Sequence, residues 1–126
     1  MNVIRAFNNH LSEFIDDVLT IFPDDRALKT AKTAIETLRK MNPKQVIMIW
    51  KEYIEKPYGD KIQQGDLSFF LNKDYSLDVT NISDANNVLK HIERLREPVR
   101  NMGKENQEKA MKYLQNLTKL SSMFEG

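Results

Sequence analysis

Apolar residues recur along this chain at steps of three and four, the spacing that stacks side chains on one face of an α-helix. In the first segment Val3, Phe7, Leu11, Phe14, Ile15, Val18, Leu19 and Phe22 keep that step, which predicts a helix ending near Phe22. Pro23 lacks the amide hydrogen that would continue it, and Asp24 or Asp25 offers a carboxylate to the free amides opening a second helix. That helix turns Leu28, Ala31, Ala34, Ile35, Leu38 and Met41 inward. Asn42 and Pro43 read as the N-cap and first-turn proline of a third, whose Val46, Ile47, Ile49, Trp50, Tyr53 and Ile54 cover more than half its circumference. Trp50 is therefore expected near the centre of the core.

The middle of the chain is more broken. Pro57 is expected to interrupt the third helix, and Gly65 with Asp66 marks a break before Leu67, Phe69, Phe70 and Leu71. From Asn72 to Ser83 the chain is polar and turn-rich and reads as loop. Ser83 or Asp84 then caps a helix that carries Ala85, Val88, Leu89, Ile92, Leu95 and Val99, which Pro98 must kink or end. Gly103 punctuates, and a last helix from about Lys104 to Met123 presents Ala110, Tyr113, Leu114, Leu117, Leu120 and Phe124 inward. The pattern predicts an all-α protein, an antiparallel helical bundle or orthogonal helical array of about five to six helices, with a broken-helix and loop region in the middle. One domain spans residues 1–126.

Composition supports folding without staples. A chain of 126 residues with 40% apolar and 29% charged side chains lies in the globular range, far from compositions too polar to offset their ordering entropy. Nineteen basic and 18 acidic residues give a formal charge of +1, so nucleic acid or anionic membrane would need a local patch. Cysteine is absent, which removes thiolate chemistry and suits a reducing compartment, with cytoplasm the expected location. The longest apolar run, Val46 to Trp50, is far short of the roughly 20 residues that cross a bilayer.

Candidate chemistry is sparse. His10 and Glu13 could share a metal at i, i+3, but a di-iron bundle wants two Glu-x-x-His pairs and further carboxylates, while His91 has Leu95 at i+4; no metal and no cofactor is expected. Asp16, Asp17, Asp24 and Asp25 flank a proline turn, where aspartates ordinarily serve as solvated caps. The glycines are isolated, so no phosphate-cradling loop is present. No catalytic residue is assigned, and enzymatic activity is not expected.

Two surfaces remain. Tyr58, Phe69, Phe70 and Tyr75 cluster where the helices are broken, and adjacent Phe69 and Phe70 point in different directions on a helix, so that one is available to a protein partner or a second copy. The competing reading is that they close one end of the bundle. Lys90, Arg94, Arg96, Arg100 and Lys104, interleaved only with Glu93 and Glu97, form the most basic stretch; such a stripe suits phosphate contacts, although a charged, solvated helix face has the same pattern.

Phe22-Pro23-Asp24-Asp25, Asn42-Pro43 with Ile49-Trp50 and Tyr53, Pro57-Tyr58, Gly65-Asp66 with Phe69-Phe70, Lys73-Asp74-Tyr75, and the run from Arg94-Leu95-Arg96 to Arg100-Asn101-Met102 span nearly the whole chain. In these stretches the sequence resembles a family of small helical proteins encoded by large nucleocytoplasmic DNA viruses of algae and other protists. The resemblance implies a viral or marine-environmental origin and a setting in the host cytoplasm or the virion; it implies no catalytic residue.

A non-enzymatic protein-interaction or assembly module is the leading expectation, with no membrane partner. The alternative is nucleic-acid binding through the basic fifth helix. A third reading, a small enzyme with a site between helices, requires His10 or His91 to meet a carboxylate from another helix.

Overall fold

A computed structural model describes residues 2–66 and 83–125 of the chain. The protein is all-α. Helix α1 (Val3–Ile21) begins where Asn2 accepts a hydrogen bond from the Arg5 amide at 3.0 Å. Between the two aspartates after Pro23, Asp25 is the cap of α2 (Arg26–Met41), accepting from the Leu28 amide at 3.1 Å, a contact that stabilises a helix by about 1 kcal/mol. The two helices run antiparallel: Ser12 donates to Glu36 at 2.5 Å, and Lys32 pairs with Asp16.

Helix α3 (Gln45–Trp50) opens differently from the sequence expectation. Asn42 closes α2 with its amide on the Leu38 carbonyl, and Lys44 takes the N-cap position of α3. Pro43 instead offers its carbonyl to the Asn8 side-chain amide at 3.0 Å, tying this corner to α1. Met41, expected inward, is 77% exposed at the last position of α2.

Pro57 does not end the third helix. A π-helical turn (Lys51–Glu55) follows α3 and leads directly into α4 (Lys56–Gln63), with Pro57 in the first turn of α4. In the π turn the Lys56 amide reaches back five residues to the Lys51 carbonyl. A proline ring clashes with the carbonyl four residues earlier, here that of Tyr53; the wider turn moves that row of carbonyls aside, so the chain stays helical from residue 45 to 63. The stop comes at Gly65, whose φ of +79° lies in the left-handed region open to glycine. The Gly65 amide bonds the Ile62 carbonyl and the Asp66 amide the Lys61 carbonyl, the paired closure of a Schellman motif.

Helix α5 (Ser83–Glu93) ends before Pro98. A turn at Arg94 and Leu95 leads into the short α6 (Arg96–Arg100), which accommodates Pro98 in its first turn. Gly103 then caps α7 (Lys104–Ser122) with extended backbone.

The rod formed by α3, the π turn and α4 is the centre of the fold, packing against α1, α2, α5 and α7. Phe7, Phe14, Trp50, Ile54, Leu89, Leu114 and Leu117 are buried within one cluster. Each such side chain contributes about 1.5–3 kcal/mol through removal from water. Trp50 sits at the centre as predicted, its ring edge-on to Phe7 at 5.7 Å, and its Nε1 donates to Thr118 Oγ1 at 3.1 Å. Helix α7 is pinned antiparallel to the rod by Gln115 Nε2 on the Ile62 carbonyl, and by Lys51 Nζ on the Phe124 carbonyl. Among the described residues no helix is long and apolar enough to cross a membrane.

Candidate interaction surface

The aromatic cluster expected at the surface is reached only in part. Tyr58 is half-buried against the core, a closing role, and Phe69, Phe70 and Tyr75 lie outside the described residues. The basic stretch is brought to α5, α6 and the start of α7, with Lys90, Arg100 and Lys104 exposed. Its charge is partly balanced locally. Arg96 pairs with Glu93 at 3.0 Å and Arg100 with Glu97 at 2.9 Å, while Arg94 Nη1 lies 3.0 Å from His91 Nδ1. A guanidinium can only donate, so this contact requires His91 Nδ1 without its proton. Burial first, then Arg94 and Lys90, holds the His91 pKa below its ordinary value.

A second cluster, joined to the core through Phe14, lies where α1 meets α7. Because the helices are antiparallel, the N-terminal half of α1 lies beside the C-terminal half of α7. Tyr113 of α7 stacks on Phe14 with ring centres 5.1 Å apart, and the His10 ring lies tilted against it at 4.8 Å. The Tyr113 hydroxyl donates to the Asp17 carboxylate. Burial, then Asp17, raises the Tyr113 pKa to about 12, so the phenol keeps its proton at neutral pH. His10 Nδ1 stands 3.7 Å from Glu13 on its own helix, and its Nε2 is buried without a hydrogen-bond partner.

The imidazole meets the ring of Tyr113 and a carboxylate from its own helix, and the Asp17 carboxylate that bridges the two helices accepts from a neutral phenol. Proton transfer needs groups whose pKa values lie near working pH, and Tyr113 is moved away from it. Among the described residues no three His, Asp or Glu side chains converge to hold a metal.

What the seam offers is shape. On one side of the ring cluster a hollow of about 450 Å³ is lined by Ala6, His10, Asn116, Lys119, Leu120 and Met123. On the other, one of about 290 Å³ is bordered by Asp17, Ile21, Met102, Asn106 and Lys109. Apolar side chains stand open at both ends, with Met123 47% and Ile21 38% exposed. A further hollow where the π turn and α4 meet α7, bordered by Glu55, Lys56, Pro57, Asp60, Gln63 and Ser122, carries charges of both signs and none of the exposed large hydrophobic side chains.

The sequence pattern places Tyr113 simply inward and reads Asp17 as a turn cap. The legible signal is a second stripe on each helix, beside the core stripe: positions 6, 10, 13, 17 and 21 of α1, and 109, 113, 116, 120 and 123 of α7. Compared with known protein families, with curated proteins and with solved structures, the chain matches none.

Proposed function

We propose that the protein is a non-enzymatic interaction module whose contact face is the seam between α1 and α7. The observation that carries this reading is the pair of hollows flanking the ring cluster, each with an exposed apolar side chain, Ile21 or Met123, at its mouth. Such residues stabilise a complex when a partner removes them from water. Between the hollows the half-buried rings of His10 and Tyr113, the latter stacked on buried Phe14, add an aromatic anchor that loses little side-chain entropy on binding. A groove between two helices suits a partner that presents helical side chains at i, i+3, i+4 and i+7.

The test is photo-crosslinking in the cells that make the protein. A photo-activatable phenylalanine analogue is placed at Ile21, at Met123, and at the exposed Thr30 of α2 as control. Protein adducts from positions 21 and 123 but not from 30 are expected. Adducts from all three alike, or from none, overturn the reading.

A further inference from the structure

Resting on that reading, we infer that the partner is a second copy of this chain, docked seam to seam about a two-fold axis parallel to α1 and α7. The seam is self-complementary. Along the α1 side of the seam, positions 6, 10, 13, 17, 20 and 21 include two carboxylates, Glu13 and Asp17, and no lysine or arginine. Along the α7 side, positions 109, 112, 116, 119, 120 and 123 include Lys109, Lys112 and Lys119, and the one carboxylate that continues this stripe, Glu105, lies in the first turn of the helix, away from Lys112. One wall is acidic and the other basic. The Glu13 side chain is 65% exposed, and Lys112 is exposed at the same height, since His10 and Phe14 on either side of Glu13 both touch Tyr113.

A two-fold axis along the helices lays each copy's α1 over the other copy's α7, antiparallel and without changing height. Glu13 of one copy then meets Lys112 of the other, and the relation holds twice, as an isologous contact requires. The apolar ends match in the same operation: Ala6 of one copy faces Met123 of the other, and Ile21 faces the Met102 end of α7. The result is an antiparallel four-helix layer. An axis across the helices would instead set α1 on α1, acid against acid, which costs affinity.

Size sets the strength. Two helices of 19 residues each, at about 1.5 Å per residue and about 10 Å of width apiece, give a face of roughly 28 by 20 Å. Two such faces bury about 1,100 Å², the lower end of specific interfaces. The pair is therefore a reversible, concentration-dependent dimer.

Sedimentation velocity over a range of protein concentrations tests this, with Glu13→Lys, Lys112→Glu and an equimolar mixture of the two. Both positions are exposed and lie outside the core, and circular dichroism verifies that each variant keeps its helices. The wild type should pass from monomer to dimer, and each variant alone should weaken the dimer about tenfold or more, because both symmetric pairs become repulsive. The mixture should restore it: the lysine introduced in one variant then faces the glutamate introduced in the other, and a native Glu13 faces a native Lys112 at the second contact. A wild type that stays monomeric throughout, variants that associate like the wild type, or a mixture that fails to recover overturns the proposal. The crosslinked product separates this from failure of the broader reading. An adduct of twice the chain's mass supports the dimer. Seam adducts only of other masses overturn self-association and leave the interaction face standing, and no adducts overturn both.

Discussion

Replacing Thr118 by valine should destabilise the protein although it removes no volume from the core. Thr118 and Trp50 are both buried, and Trp50 Nε1 donates to the Thr118 hydroxyl at 3.1 Å. Valine keeps the shape and leaves the indole N–H in an apolar interior without an acceptor, which costs about 1–3 kcal/mol. Thr118→Ser retains the acceptor and loses a methyl group, worth about 0.8 kcal/mol. The two substitutions therefore separate the causes: if hydrogen bonding governs the site, valine is worse than serine, and if packing governs it, serine is worse. Urea unfolding followed by the fluorescence of the single tryptophan reads the difference directly. With m near 2 kcal/mol/M, a loss of about 2 kcal/mol lowers the midpoint by about 1 M. A valine variant as stable as the wild type, or a serine variant less stable than the valine one, would refute the assignment of this hydrogen bond.

Tyr113 holds its proton to about pH 12 against the ordinary phenol value of 10.0, so the stability it contributes is present below pH 10 and is lost as pH rises toward 12. Tyr113→Phe should remove the late step from a tyrosinate absorbance titration and flatten the alkaline loss of stability. His91 has the opposite sense. Its pKa is lowered from the ordinary value of 6.5, so its contribution is present above pH 6.5 and is lost as pH falls through the depressed folded value; His91→Gln should flatten the dependence of the unfolding midpoint across that acid range. Gly65→Ala should cost about 1–2 kcal/mol from the left-handed backbone alone, because a methyl group there meets no atom within 4 Å; thermal unfolding measures it, and an unchanged transition would contradict the assigned conformation.

The core is legible in the sequence because it depends on a single periodicity. Phe7, Phe14, Trp50, Leu89 and Leu117 hold inward positions in the sequence pattern and are buried in the structure. Punctuation is less legible. By the local rule Pro57 breaks a helix that instead widens into a π turn, while Tyr53, Ile54 and Ile62 pack into the core, a tertiary contact that a local rule does not contain. Pro98 does coincide with a break, but the break falls at Arg94 and Leu95, where the proline ring would otherwise collide with the Arg94 carbonyl. The seam is hidden for a different reason. Asp17 and Tyr113 are 96 residues apart, and only the antiparallel pairing of α1 with α7 turns a cap-like aspartate and an inward tyrosine into one cluster. The basic stretch reads as a stripe in one dimension, but Glu93 and Glu97, each three residues before an arginine, are bonded to it in space.

The most direct measurement is a residue-resolved NMR dilution series on the wild-type protein. Concentration-dependent amide shifts confined to the seam are expected, at Ala6, His10, Glu13, Lys112, Asn116 and Met123, with α2 and α5 unmoved. Shifts centred on Lys90 and Arg100, or none at any concentration, would contradict the proposed seam contact.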